Sequence, residues 1–243
     1  MKRVILILNL TLAIFSMNSC KKEETPGPTG EEWGDSTSIV YQGKTYPVLF
    51  FNKWWMAENL AWLPSVSPDS VFSETKPYYY VYGYKGSNVM AAKATDSYKT
   101  YGVLYNWTAA MTACPPGWHL ATDADWKSLE SALGMGNEEL DKEGYRDNNE
   151  VGYFLKSTWG WIQVAGETGN GINSIGFDLK PGGYYLPDWD KFNGEHFVAY
   201  YWTSTENAPR SWSREIDKWR TGVRRTSQNS RQSGMYVRCV KDE

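Results

Sequence analysis

Cys114 and Cys239 are the only cysteines beyond the first 20 residues of this 243-residue chain, and as a pair they constrain its fold more than any other feature. The chain begins like an exported one. Lys2 and Arg3 precede an apolar run from Val4 to Phe15, which is too short for a membrane span of about 20 residues and has the form of a leader. Two remaining cysteines in an oxidising compartment most simply form a disulfide. Closing a loop of more than about 100 residues, it is worth on the order of 4–5 kcal/mol in the chain-entropy account and ties the middle of the sequence to its end.

The third cysteine, Cys20, follows Ser16-Met17-Asn18-Ser19 and precedes Lys21-Lys22-Glu23-Glu24. This junction resembles a bacterial lipoprotein signal peptide with Cys20 as the lipidated residue, the alternative being an ordinary secretory leader. Acyl chains contribute about 0.8 kcal/mol per buried CH₂, so a lipidated Cys20 would hold the chain on a membrane. Residues 1–20 are therefore expected to be a signal peptide, and 21–37, rich in Lys, Glu, Thr, Pro and Gly, a flexible tether. The charged start of the tether resembles signals that direct lipoproteins of Bacteroidetes to the outer cell surface. The expected location is the cell envelope, at the outer membrane and open to its surface.

The formal charge is −3, and removal of Lys2 and Arg3 with the leader makes it −5 (−3 − 2). That balance excludes a nucleic-acid binder, which needs a dominant basic field. The charge is uneven, however. Ala208–Val240 holds Arg210, Arg214, Lys218, Arg220, Arg224, Arg225, Arg231 and Arg238 against Glu215 and Asp217, whereas Asn137–Glu150 is acidic. Solvated strand faces are the simpler expectation, and a basic patch for an anionic glycan or partner is the sharper one.

Local patterning sketches an α+β domain over residues 38–243. Ser38–Val48 predicts a hairpin around Gln42-Gly43-Lys44. Residues 64–98 have the look of an insertion, whose run Tyr78-Tyr79-Tyr80-Val81-Tyr82-Gly83-Tyr84 predicts a ribbon packed on the body rather than a stacking platform. Leu104, Trp107 and Met111 sit at helical spacing within Tyr101–Ala113. Thr122–Leu133 is the best-marked helix, with Thr122 and Asp125 placed as a capping box, Trp126, Leu129 and Leu133 as one stripe, and Gly134 as the stop. A short helix is predicted over Asn149–Ser157, and strands over Ile175–Leu179, Tyr200–Ser204, Ser211–Asp217 and Met235–Val240.

Several blocks then occur in a familiar order: Trp55-Met56-Ala57-Glu58-Asn59-Leu60, Tyr101-Gly102-Val103-Leu104-Tyr105-Asn106-Trp107, Cys114-Pro115-Pro116-Gly117-Trp118-His119-Leu120, Gly176-Phe177, Pro181-Gly182-Gly183-Tyr184, Tyr201-Trp202-Thr203-Ser204 and Val237-Arg238-Cys239-Val240. From about Ser38 onward the chain resembles the Fibrobacter succinogenes major paralogous domain family. The resemblance implies a C-type lectin-like fold: a small twisted antiparallel β core, two main helices and long loops. It implies little about activity.

Catalytic and metal motifs are hard to find. His119 has no His-Glu-x-x-His or Cys-x-x-Cys context and is expected to be a packed or capping histidine. Cys114 as a nucleophile would need a free thiolate and a base. Asp188, Asp190, Asn193 and Glu195 offer hard oxygens of the kind Ca²⁺ prefers, but without EF-hand spacing, so a polar turn is expected there and no cofactor is assigned. The expectation is a non-catalytic binding or adhesion module recognising a glycan or a surface protein. The stacking candidates are Trp159, Trp161, Tyr185, Trp189 and Trp212, with Asp188, Asp190 and Glu195 as polar contacts. The alternatives are an enzyme of the formylglycine-generating branch or a structural subunit of a surface assembly.

Overall fold

The computed structural model describes residues 37–163, 166, 168–188 and 191–243. The expected leader, Cys20 and all of the expected tether but its last residue lie outside the described residues, as do Trp189 and Asp190. Thr37, expected to end the tether, already belongs to the first strand.

In chain order, β1 (Thr37–Tyr41), β2 (Lys44–Phe51) and β3 (Lys53–Met56) are followed by β4 (Tyr79–Tyr80), α1 (Val89–Ala94) and α2 (Asp96–Tyr101). Next come β5 (Leu104–Tyr105), α3 (Trp107–Ala110), β6 (Trp118–Leu120), α4 (Asp123–Ala132), α5 (Asn137–Leu140), β7 (Gly144–Arg146) and α6 (Val151–Leu155). The chain then runs through β8 (Gly182–Leu186), β9 (Lys191–Glu195), β10 (Val198–Asn207), β11 (Arg210–Asp217), β12 (Val223–Thr226) and β13 (Cys239–Lys241). Helices and strands interleave as far as Leu155, and the elements after it are all strands, in an α+β arrangement. One sheet has the order β1-β2-β3-β13-β6, a second β7-β12-β11-β10-β8-β9, and β4 pairs with β5.

The first hairpin forms where predicted. Gln42 and Gly43 both have positive φ (50° and 79°), the backbone of a type I′ turn whose twist matches that of the strands it joins. The last segment of the chain joins the sheets. Met235 bridges to Tyr105, Tyr236 to Tyr201, and β13 lies between β3 and β6. Side chains alternate across an extended chain. Accordingly Met235, Val237 and Cys239 enter one core cluster, with Leu60, Tyr105 and Trp202, while Tyr236 and Val240 enter the other, with Trp55, Trp126 and Tyr201. The predicted Cys114–Cys239 disulfide is present, with Cα atoms 5.8 Å apart, and fastens this segment to the end of the α3 region.

α4 follows its sequence signals closely. The Thr122 hydroxyl accepts from Asp125 N–H, and the Asp125 carboxylate accepts from Thr122 N–H. Trp126, Leu129 and Leu133 are buried and Gly134 ends the helix with φ of 97°. His119, in β6, places its ring nitrogens 3.0 Å from Asp125 Oδ2 and 2.7 Å from Asp242 Oδ1. The Asp125 hydrogen bond, ahead of that to Asp242, raises the imidazole above its ordinary pKa. It is a histidine that clasps the helix start to the chain's last residues.

Two predicted elements are corrected. Tyr101–Ala113 is not one helix. Leu104 pairs with Tyr80 as strand, and Asn106 caps the short α3 while its amide holds the carbonyls of Ser73 and Lys76 in the 64–98 segment. Leu104 and Trp107 are thus buried from two different elements, and Met111 is exposed. Ile175–Leu179 is not a strand. It makes a single parallel bridge, between Leu179 and Lys156, next to Asp178 with φ of 51°. The tyrosine-rich ribbon does pack on the body: the Tyr80 ring stacks on Tyr185 at 4.1 Å, and Tyr79 meets Tyr105 edge-on.

The uneven charge has a tertiary explanation. β7, from the acidic stretch, pairs with β12, and β12 with β11, both from the basic stretch. Glu130 accepts from Arg146 at 2.7 and 2.8 Å and from Arg214 at 2.7 Å, and all three are fully buried. Asp123 accepts from Arg214 at 2.7 Å and twice from Arg225 at 2.9 Å. Burial alone would raise the Asp123 carboxyl, but the two guanidiniums outweigh it and hold it down at about 2. Arg220, Arg224 and Arg231 pair with Asp147, Glu215 and Glu206. Arg214 and Arg225 are therefore matched in a buried ion network, while Arg220, Arg224 and Arg231 pair nearer the surface, so the expectation of solvated strand faces holds only in part.

Candidate functional site

The pairing of Val198 with Asp217 brings the β9–β10 and β11–β12 turns to the same end of the second sheet. The Lys218 N–H donates to the Phe197 carbonyl at 2.9 Å, and the Asp217 carboxylate accepts from the Trp219 N–H at 2.8 Å, which sets the turn. Burial raises the Asp217 carboxyl above its ordinary pKa. A third loop, which begins at Ser157, joins them: Ile162 N–H donates to the His196 carbonyl, and the His196 ring lies 2.9 Å from the Gly160 carbonyl. Within that loop the Ser157 hydroxyl holds the Trp159 carbonyl at 2.7 Å.

These three turns present four exposed apolar side chains: Trp219 at 64% exposure, Trp159 at 49%, Ile162 at 40% and Phe197 at 36%. One exposed apolar residue is ordinary, whereas several from adjoining turns form the kind of patch that marks a contact surface. Phe197 and Trp219 lie 6.1 Å apart, and the Lys218 ammonium sits 4.1 and 4.6 Å from their ring centres. The result is an aromatic surface with a fixed cation, able to stack on the apolar face of a flat or ring-shaped ligand and to meet an acceptor at its edge.

Of the candidates read from sequence, Trp159 faces solvent, in the loop that also carries Ile162. Trp161 does not: it is buried, and its indole N–H reaches Ser157 Oγ and the Leu179 carbonyl, with the Lys156 ammonium 5.2 Å from its ring. Burial pushes that ammonium's pKa down to about 8. Tyr185 is also core, stacked on Tyr80 and donating to the Asp69 carbonyl at 2.8 Å, with burial raising its hydroxyl to about 12. Trp212 is half-buried beneath the Arg225 guanidinium, 3.5 Å from its ring centre. Each sits where a large flat side chain fills a gap between layers, a demand that sequence spacing does not reveal.

The expected polar turn at 188–195 is largely a strand. Asp188 is exposed, but Asn193 and Glu195 lie in β9 opposite Tyr184 and Gly182, so the oxygens are strung along a hairpin arm. Among the described residues no three His, Cys, Asp or Glu side chains are arranged to hold a metal ion. Cys114 and Cys239 are joined to each other, so neither carries a thiolate.

Sequence reasoning missed Phe197 and Trp219. The available signal was Asp217-Lys218-Trp219-Arg220-Thr221-Gly222, a turn directly after the predicted strand Ser211–Asp217, with a tryptophan at its tip where no core can receive it.

No curated protein and no solved structure matches the chain. A family described as the Fibrobacter succinogenes major domain matches residues 50–241, which spans every segment that builds the three turns. The chain belongs to the Fibrobacter succinogenes major domain family.

Proposed function

We propose that this protein is a lipid-anchored binding module of the cell envelope, of C-type lectin-like architecture, that recognises a glycan through its aromatic turns. The observation carrying the reading is Trp219: 64% exposed, set by Asp217, flanked by Phe197 and topped by Lys218. A turn that orders a tryptophan toward solvent gains nothing from burial, so its use lies in a contact with something outside the chain. Sugar rings have an apolar C–H face and a hydroxyl edge, matching an aromatic plane with an adjacent ammonium. The anchoring part of the reading rests on Cys20 and the charged residues after it; no helix among the described residues is long and apolar enough to cross a membrane.

A glycan array with the chain from Cys20 onward, and with Trp219→Ala and Phe197→Ala, tests the binding reading. The expected result is a defined set of bound glycans, lost in both variants with unchanged thermal stability. Wild-type silence on the array, or binding indifferent to both substitutions, overturns it. Capture of an envelope protein that depends on Trp219 would replace the glycan by a protein ligand. Metabolic labelling with a fatty-acid probe, lost in Cys20→Ser, tests the anchor.

A further inference from the structure

Next to Trp159 lies a polar pocket of about 60 Å³ built by four segments remote in sequence: Lys44 of β2, Glu58-Asn59 after β3, Lys99–Gly102 at the end of α2, and Asp178 with Lys180. That volume exceeds the roughly 10–15 Å³ needed for one water several-fold. Lys180 belongs to both places. Its ammonium is 3.0 Å from Asp178 Oδ2 and 5.6 Å from the Trp159 ring centre. The pocket therefore reaches Trp159 through Lys180, whose ammonium lies over that exposed ring.

Its charge is lopsided. Lys44 pairs with Glu58 at 2.8 Å and Lys180 with Asp178, which matches two cations to two anions. Lys99 is left with only a 3.7 Å contact to fully exposed Asp96, outside the pocket. Beneath the floor lies Arg238, 1% exposed, whose guanidinium donates to Asn59 Oδ1 at 3.0 Å and to the Met56 and Asp178 carbonyls at 3.2 and 3.4 Å. Among the described residues no carboxylate lies within 4 Å of it, and the Phe177 ring covers it at 4.6 Å. Carbonyl and amide oxygens satisfy its N–H groups but leave its full charge in a low-dielectric interior, where charges act over longer distances than in water. Asn59, which holds Arg238 on one side and the Tyr101 carbonyl on the other, is the wall between that charge and the pocket.

We infer that this pocket takes a carboxylate-bearing sugar, a uronic acid unit, whose ring lies against Trp159 and whose carboxylate meets Lys180 and Lys99 over the buried Arg238. The inference rests on the glycan reading above and specifies the class of sugar. A neutral hexose has nothing to offer the surplus positive charge. A free inorganic anion has no ring for Trp159.

The test uses a panel of uronate-containing oligosaccharides, each beside its methyl ester, which keeps the ring and removes the charge. Titration of wild type by calorimetry at low salt is expected to favour acid over ester by about tenfold or more for the bound members, with the ratio shrinking as salt rises. Lys180→Ala and Lys99→Ala should bring the ratio toward one while leaving ester binding within about threefold of wild type. Trp219→Ala should weaken both. Equal affinity for acid and ester, an acid preference that survives both lysine substitutions, or no binding of any uronate overturns the pocket inference. In the first two cases Trp219-dependent binding keeps the glycan reading standing; in the third, neutral array hits that need Trp219 do so.

Discussion

Arg214 and Lys218 belong to the same strand and its turn, and each lies beside a tryptophan, yet the two pairs do opposite things. The Arg214 guanidinium is 6.0 Å from the Trp126 ring, both fully buried, and its N–H groups are taken up by Glu130 and Asp123. The Lys218 ammonium is 4.6 Å from a Trp219 ring that faces solvent. A buried guanidinium tolerates no vacancy in its partner set, because an unpaired charge in the interior costs several kcal/mol. Lys218, half-buried beside an exposed ring, keeps access to water that a ligand can replace. Both regions pair a cation with a tryptophan, and burial separates the structural cation from the one available for recognition.

The sharpest way to break that contrast is Glu130→Ala, which strands Arg146 and Arg214 together. Equilibrium urea unfolding is expected to show a loss of about 3–5 kcal/mol, and a loss below about 1 kcal/mol would mean that the network is relieved by water. Next in size is the Cys114→Ser, Cys239→Ser double variant, expected to lose about 2–5 kcal/mol under the same assay, since it frees β13 from the α3 region. Third is pH. Asp123 is depressed in the folded state, so its contribution is full above its unfolded pKa near 4 and disappears as pH falls through its folded value of about 2. Unfolding measured at intervals from pH 5 to pH 2 should lose roughly 2 kcal/mol from this group, and Asp123→Asn should flatten that part of the profile. Smallest is Trp219→Ala, expected to stay within about 0.5 kcal/mol of wild type. A large destabilisation there would make Trp219 a packing residue and erase the distinction between the two regions.

How much of this was legible in the sequence depends on the range of the interaction. α4 could be read nearly residue by residue because its cap, stripe and stop are set by neighbours three and four positions away. The first hairpin was equally local, fixed by two residues that accept positive φ. Tyr101–Ala113 misled because Leu104, Trp107 and Met111 have helical spacing, while the partner that makes Leu104 a strand, Tyr80, lies in the 64–98 segment. Trp161, Tyr185 and Trp212 misled for the same reason in reverse. An aromatic beside turn glycines, such as Trp161 or Tyr185, or on a strand, such as Trp212, looks available until the layers that close over it are known.

The sequence by itself determined the disulfide, through the lone pair of cysteines beyond residue 20, along with the α+β class, the capped helix and the family, because each depends on residue identity or on short spacing. Only the tertiary structure decided which charges are buried, which aromatics face solvent, and that Lys44, Asn59, Lys99, Lys180 and Arg238 surround one place. Those outcomes depend on which distant segments exclude water from one another, and exclusion of water is a property of the packed surface rather than of any stretch of chain.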